Sequence, residues 1–556
     1  MSTSSEQLPG SSPSEMFPVL TSEQQARVLA HGRLQEVGGG ETVVESNQQA
    51  GRFFVVVAGQ LEILQVEDHR ENVIAVVGPG MFTGELTVLT GRRSLVRIRA
   101  SEPSRLIEID REAFLSLMQT DSELSDIFLR AFILRRLELI ARGIGDLIVI
   151  GSSHSLDTFR IKEFLTRNYQ PYSYIDVEND AEVQELLDRF GLAITDLPVL
   201  ICRRSLVLRN PSNQEIVNCL GFNEAIDLVH LRDLVVIGAG PAGLAAAVYG
   251  ASEGLDVLVV ESTAPGGQAG ASSKIENYLG FPTGISGHEL AGNAFTQAQK
   301  FGAQMLIARQ ASGLTCERKP FSLKLEDGEL VPARAIVIAT GAQYRKLPLP
   351  NLSEFEGNGV YYGATHLESQ LCGGHEVAVV GGANSAGQAA VFLSQTARHV
   401  YMLVRGDSLA QTMSRYLVRR IEENPKIELL TRTEVTALHG DGRLESIEWH
   451  NNKTGEAQQR AVAGLFSMIG AVPNSSWLEG CVACDKEGFI KTGSRLSPDD
   501  LKRAQWPLSR NPFLLETSLP GVFAVGDVRA GNLKRVASAV GEGSIAVSLV
   551  HQVLSE

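Results

Sequence analysis

The chain has 556 residues, of which 44% are hydrophobic and 21% charged, the balance of a globular protein with roughly three to five domains. Fifty lysines and arginines against 64 aspartates and glutamates leave a net charge of −14, which excludes nucleic acid and anionic membrane as partners because both would repel such a surface. No run of about 18 apolar residues spans a bilayer, residues 1–15 read as a polar disordered tail rather than a secretion signal, and six scattered cysteines (202, 219, 316, 372, 481 and 484) point to a reducing cytoplasm rather than a disulfide scaffold.

Residues 16–143 form the first unit. FFVVVAGQLEILQVE, NVIAVVGPGMF and SLVRIRASEPSRLIEID are strand-like runs with turns at regular spacing, which predicts a small β-roll. Ser122 to Arg142 reads as a long amphipathic helix. Through GELTVLTGRRSLVRIRA the unit resembles a cyclic nucleotide-binding domain, and the resemblance implies that Gly84, Glu85, Arg93 and Ser94 clamp a cyclic phosphate and ribose. The chemistry fits, since the arginine pairs with the anion, the glutamate accepts from a 2′-hydroxyl, and the glycine lets main-chain N–H groups approach. The alternative is a ligand-free, dimerising roll with Glu85 and Arg93 in an internal salt bridge.

Residues 144–231 alternate short strands and helices: DLIVIG, TFRIKEFLTRN, YSYIDVE, AEVQELLDRFG, a hairpin of LPVLIC and SLVLRNP, then NQEIVNCLGF. Cys202 and Cys219 read as core residues.

From residue 232 the chain is α/β, and one feature occurs twice. DLVVIGAGPAGLAAAVYGASEGLDVLVVE and EVAVVGGANSAGQAAVFLSQTARHVYMLVR are both strand, glycine turn, helix, strand, so two dinucleotide sites are expected. In the first, Gly238, Gly240 and Gly243 give a G-x-G-x-x-G with Pro241 and Ala242 opening the helix. Its glycines permit the tight turn, the approach to pyrophosphate and close helix packing. Glu261 ends the next strand, placed for a ribose hydroxyl. The second site, Gly381, Gly382, Ala383, Asn384, Ser385 and Ala386, is a degenerate version with alanine at two glycine positions, suited to a ligand that binds transiently. Arg405 ends its second strand, where an acid would select NADH.

These two motifs, with GGQ at Gly266–Gln268, IENYLGFP from Ile275, ATGA from Ala339 and GVFAVGDV ending at Val528, resemble the low-molecular-weight thioredoxin reductases over residues 233–556. The resemblance implies an FAD domain (232–346 and 473–556) with an inserted NAD(P) domain (347–472), a homodimer, and a domain rotation. It implies that Gly267, Gln268, Asn277, Thr340, Gly341 and Asp527 contact FAD, and that NADPH, with NADH as the alternative, supplies the hydride. Where that family carries Arg-Gln-Ala against the flavin, this chain has Lys534, Arg535 and Val536.

The family's Cys-x-x-Cys precedes the second fingerprint. The corresponding stretch, GVYYGATHLESQLCGGHEVAVVGG, has Gly363 and His366 at the cysteine positions, and exchange with a disulfide needs two sulfurs. Three alternatives remain: Cys372 as a single thiol, Cys481 and Cys484 (expected in a strand, with sulfurs on opposite faces), or direct transfer to a quinone, oxygen or small protein carrier with His366 as proton source.

The first unit resembles a cyclic nucleotide-binding domain, which makes a cyclic nucleotide a candidate effector. The second resembles the glutaredoxin-like thioredoxin fold, with Thr195–Val199 as its cis-proline loop and Ser155-Leu156-Asp157-Thr158 where its redox cysteines belong. No metal site is expected. The fold expected is therefore multidomain: a β-roll, a thioredoxin-like α/β module without its dithiol, and two Rossmann-like domains. The function expected is an FAD-dependent NAD(P)H oxidoreductase. Its alternatives are a redox sensor gated by a cyclic nucleotide, and a conventional thioredoxin-disulfide reductase using other cysteines.

Overall fold

The apolar-polar alternation of the N-terminal strands closes two four-stranded antiparallel sheets. One orders Arg33–Val37, Ser104–Asp110, Arg52–Ala58 and Phe82–Thr83, and the other Thr42–Val44, Arg97–Ala100, Leu61–Glu67 and Arg70–Val77. Helices Arg111–Thr120 and Ser122–Ala141 cover the first sheet, where the rings of Phe114 and Phe128 lie 4.6 and 4.8 Å from that of Phe53, an aromatic core of the kind that dominates burial energetics. In this computed structural model the described residues are 16–46, 48, 51–67, 70–141, 147–178, 193–202, 206–224, 226–272, 275, 278–316, 320–356, 358–364, 366–478 and 480–556. The expected N-terminal tail and the AEVQELLDRFG helix lie outside them.

The next sheet orders Ser173–Asp176, Leu147–Gly151, Val199–Cys202 and Leu206–Arg209. Its first pair is parallel and the other two antiparallel. Helix Leu156–Arg167 starts at Ser155, whose hydroxyl accepts the Thr158 N–H, and the Leu197–Pro198 bond is cis. Gly151 has no room for a side chain, because Thr158 and Pro198 crowd the place a Cβ would take.

The third sheet places Gln304–Ile307, Val257–Glu261, Arg232–Ile237 and Leu330–Ile338 in parallel, with Val522–Ala524 also parallel to the last. A fourth, fully parallel sheet runs Val360–Tyr361, Gly464–Ser467, Glu376–Val380, His399–Val404 and Ile427–Thr431. Near-continuous apolar runs fit these strands because both faces are covered. Helices Pro241–Ser252 and Val536–Ser555 pack on one face of the third sheet and Leu478, Val482 and Ile490 on the other. Helix Asn384–Leu393 packs on one face of the fourth and strands Thr433–His439 and Ser446–Asn451 on the other. A two-stranded ribbon, Ala342–Tyr344 against Ala471–Pro473, joins the two halves.

The cysteines differ from expectation. Cys202 and Cys219 are buried as expected, but they are bonded to each other, with Cα atoms 6.7 Å apart, and Cys316 is bonded to Cys481. The register that ends strand Val199–Cys202 beneath helix Asn213–Leu220 brings the first pair together. Cys481 lies in a turn rather than a strand, and Cys484 in an isolated bridge to Ile490, so the alternating-face expectation for this pair does not hold. Glycine at 480 and 488, both with positive φ, breaks the strand there. Among the described residues no helix is long and apolar enough to cross a membrane.

Candidate functional site

The first glycine turn is built by steric necessity. Gly238 has φ +99° and a Cβ there would lie 2.5 Å from the Ala339 carbonyl oxygen. A Cβ on Gly243 would overlap the Gly238 carbonyl oxygen, and one on Gly267 would come within 2.9 Å of the Gly240 Cα. Main chain from two loops is thus left bare at the start of helix Pro241–Ser252, whose N-terminus no side chain caps. Unpaired N–H groups and the helix dipole there form an anion site.

Glu261 is 8% exposed and fixed by three main-chain donors: Ala239 N–H at 2.7 Å, Thr263 N–H at 2.8 Å and Ala264 N–H at 3.3 Å. Its oxygens keep lone pairs for a ribose hydroxyl. Gln268 donates its side-chain amide to the Ala342 carbonyl. The Thr340 hydroxyl donates to the Asn474 carbonyl at 2.7 Å, and Asn474 donates back at 2.9 Å. Gly341 follows with φ +67°. A Cβ on Gly526 would lie 3.0 Å from that of Ala242, which sets Asp527 beside the helix start. Burial pushes the Asp527 carboxyl up, against the pull of Lys534. Lys534 and Arg535 are exposed, and half-buried Val536 opens helix Val536–Ser555. Asn277 lies outside the described residues. The bare cradle, the free helix end and the acid at the strand terminus fit the adenosine diphosphate of FAD.

The second turn holds Gly381 at φ +141°, a Cβ there overlapping the Met468 carbonyl oxygen. Ala383, Asn384 and Ser385 are exposed at the start of helix Asn384–Leu393, and Gly382 and Ala386 pack behind them. Asn384 accepts the Ser414 N–H at 2.8 Å, and the Thr412 hydroxyl donates to the Gly382 carbonyl at 2.6 Å. These bonds tie the turn to the loop before Arg415. Arg405 is 85% exposed, its Nε 3.9 Å from Glu434.

Gly363 sits in open space, and His366 opens the short helix His366–Leu371. Cys372 is 1% exposed, and burial pushes its thiol up to about 12.

In the first unit Gly84 has φ +94° and caps helix Glu85–Thr90. Glu85 does not pair with Arg93, contrary to the salt-bridge alternative. Its Oε1 accepts from Arg135 at 2.9 Å, and Arg93 bonds instead to Glu224, 131 residues on. The chain folds this way because helix Ser122–Ala141 passes beneath Glu85, whereas Arg93 faces the next module. Glu85 is 1% exposed, and its Oε2 has no hydrogen-bond partner among the described residues. It lines a cavity of about 200 Å³ together with Gly84, Arg93, Ser94 and, from the middle module, Gln170 and Phe222. The Ser94 hydroxyl donates to the Val96 carbonyl at 2.8 Å.

Sequence reasoning missed the residues that join the modules. Arg92 lies 3.7 Å over the Phe222 ring and donates to the Asn168 carbonyl at 3.2 Å, and Arg136 donates to the Tyr169 carbonyl at 3.0 Å. The same turn reaches the other way. Arg167 donates to the Gly267 carbonyl at 3.0 Å, Asn168 to that of Thr263 at 3.2 Å, and Tyr169 to that of His288 at 2.6 Å. One turn, residues 167–169, therefore touches both the cavity unit and the loop beside the first glycine turn. Arg135 and Glu224 were equally invisible, since nothing in local spacing marks them.

Two family profiles match: pyridine nucleotide-disulphide oxidoreductase over residues 232–543, and cyclic nucleotide-binding domain over residues 34–121. The chain is 33% identical over 328 residues to the thioredoxin reductase of Bacillus subtilis (strain 168), covering 59% of this chain and 96% of that protein. It is 34% identical over 314 residues to the thioredoxin reductase of Treponema pallidum (strain Nichols), covering 56% and 94%. Among solved structures it is similar to Lactococcus lactis thioredoxin reductase in its FR conformation, with a TM-score of 0.52, 29% identity, and coverage of 58% of this chain and 99% of that one.

Proposed function

The chain belongs to the pyridine nucleotide-disulphide oxidoreductase family and is an NAD(P)H-dependent flavoprotein oxidoreductase of thioredoxin reductase type, and we propose that its acceptor is reached without a cysteine pair at 363–366. The observation that carries this reading is the state of the nearest thiol in sequence. Cys372 is buried with its thiol pushed up to about 12, and only a thiolate exchanges with disulfides.

FAD, when bound, would supply two-electron redox chemistry between NADPH and the acceptor. The chain supplies the geometry. The turn at 238–243 and the helix behind it hold pyrophosphate, Glu261 holds the ribose, and Gln268, Thr340, Gly341 and Asp527 hold the remainder. Lys534, Arg535 and Val536 flank it. Across the ribbon, residues 381–386 hold the second pyrophosphate and exposed Arg405 faces a 2′-phosphate. His366 gives a proton to an acceptor such as a quinone. Anaerobic NADPH titration followed by a panel of quinones, oxygen, ferredoxin and disulfides tests this: the flavin bleaches with NADPH and recolours with a non-disulfide acceptor. Robust turnover of a thioredoxin disulfide overturns it.

A second reading concerns control of the same enzyme. The cyclic nucleotide-binding domain takes a cyclic nucleotide, with Arg93 on the phosphate and the unpartnered Oε2 of buried Glu85 accepting the 2′-hydroxyl. A buried acceptor without a donor costs about 1–3 kcal/mol, which a bound ribose would relieve. We read the middle module as thioredoxin-like, on its sheet order and cis-proline, and as a docking element because hydroxyls stand at Ser155 and Thr158. The protein is taken as a cytoplasmic homodimer. Titration with cyclic AMP or cyclic GMP during NADPH oxidation tests the control: a rate change supports it, and an unchanged rate removes it.

A further inference from the structure

Arg93 is held from outside its own unit. Its Nε lies 2.9 Å from Glu224 Oε2 and its second fork nitrogen bonds Oε1, a bidentate pair of the strong, directional kind. The pair sits on the C-terminal glycine of helix Asn213–Leu220: a Cβ on Gly221, which has φ +68°, would lie 2.8 Å from both Arg93 Nε and Glu224 Oε2.

Glu224 belongs to a segment anchored in the flavin half. One residue earlier, the Asn223 amide donates to the Ile307 carbonyl at 2.9 Å and accepts the Ile307 N–H at 3.0 Å. Ile307 pairs in register with Glu261, the ribose acid. Two and four residues later, Ile226 and Leu228 pack into the core of the flavin sheet.

We propose that Glu224 is a resident counter-anion of the nucleotide cavity, which a cyclic phosphate must displace from Arg93, and that this exchange carries occupancy of the cavity to the flavin domain. The inference rests on the cyclic nucleotide reading above. A phosphate and a carboxylate want the same guanidinium fork, and two anions cannot share it without repulsion. The carboxylate therefore masks the intrinsic affinity of the cavity by the ratio in which it holds the arginine. Once displaced, it frees a segment fixed at Asn223 to the strand beside Glu261. Transmission needs one element whose equilibrium both sites bias, and the described residues 221–224 and 226–228 supply it.

The test uses the full-length, FAD-loaded protein. Calorimetric titration with cyclic AMP and with cyclic GMP compares wild type, Glu224→Gln and Arg93→Ala, with flavin absorbance and melting temperature confirming that each is folded. Glu224→Gln binds the nucleotide roughly tenfold or more tightly than wild type, and Arg93→Ala binds neither. Without nucleotide, Glu224→Gln oxidises NADPH at the rate of nucleotide-saturated wild type. If wild type binds and Glu224→Gln binds no more tightly, the displacement is overturned while the cavity reading stands. If Glu224→Gln binds more tightly but keeps the rate of unliganded wild type, the transmission is overturned. If neither wild type nor Glu224→Gln binds either nucleotide, the cavity reading itself fails and the inference falls with it.

Discussion

Tyr169 lies face to face on His288, ring centroids 4.3 Å apart, and its hydroxyl donates to the His288 main-chain carbonyl at 2.6 Å. The contact clasps the middle module to helix Gly287–Lys300 of the flavin half. Gly292 makes it fit, since a Cβ there would come within 2.9 Å of the Tyr169 ring. Tyr169→Phe should keep the stack and lose the hydrogen bond, destabilising the protein by about 1 kcal/mol. Urea unfolding measures this, and an unchanged midpoint would show that the hydroxyl is dispensable.

The same clasp predicts a pH dependence. Burial, helped by Arg167 and Arg136, holds the His288 imidazole below its ordinary value of 6.5. The folded state thus favours the neutral ring, so its contribution is complete above pH 6.5 and is lost as pH falls from there through the lowered value. Stability measured between about pH 7.5 and 5 should fall, and His288→Phe should flatten that limb. Equal slopes in the two proteins would remove His288 as the cause.

Gly243→Ala places a methyl group on the Gly238 carbonyl. The turn must open, and the purified protein should lose its yellow colour. Flavin absorbance per mole of protein reports the outcome. Retention of wild-type FAD would mean that the cradle does not hold the pyrophosphate.

Cys481→Ser with Cys484→Ser should leave flavin reduction by NADPH intact while lowering stability. The bond from Cys481 to Cys316 closes a separation of 165 residues, and cross-links of this kind typically contribute about 2–4 kcal/mol. Stopped-flow reduction and thermal unfolding read the two effects separately, and slowed reduction would restore these thiols to the electron path.

Gly363→Cys with His366→Cys supplies two sulfurs at the spacing the resembled enzymes use. Gly363 has open space around it. The double variant should gain measurable reduction of a thioredoxin disulfide, whereas the wild type shows little or none. Wild-type turnover equal to that of the variant would mean that the stretch is not what limits the chemistry.

What the sequence revealed was what sterics dictate locally. A tight turn against Ala339 forces glycine at 238, and close helix packing forces it at 243, so the residues announce the structure. Glu261 was legible because it closes a strand of fixed length. Glu85 and Arg93 were legible as residue types, but their partners were not. Arg135 lies 50 residues away and Glu224 131 residues away, and such pairings are set by how modules dock. The disulfides escaped for the same reason: two scattered cysteines carry no sign of the register that unites them.

The ribbon of Ala342–Tyr344 and Ala471–Pro473 has one more consequence. Its register, Ala342 opposite Pro473 and Tyr344 opposite Ala471, brings the chain out and back at neighbouring points, roughly 5 Å apart. Everything between leaves and re-enters the flavin half at one place, with the Asn358 amide donating to the His154 carbonyl of the middle module at 2.8 Å as a further contact. Neighbouring exit and return points make this the place to exchange the insert for one with another donor preference, because the flavin half's own sheet and first glycine turn lie outside it.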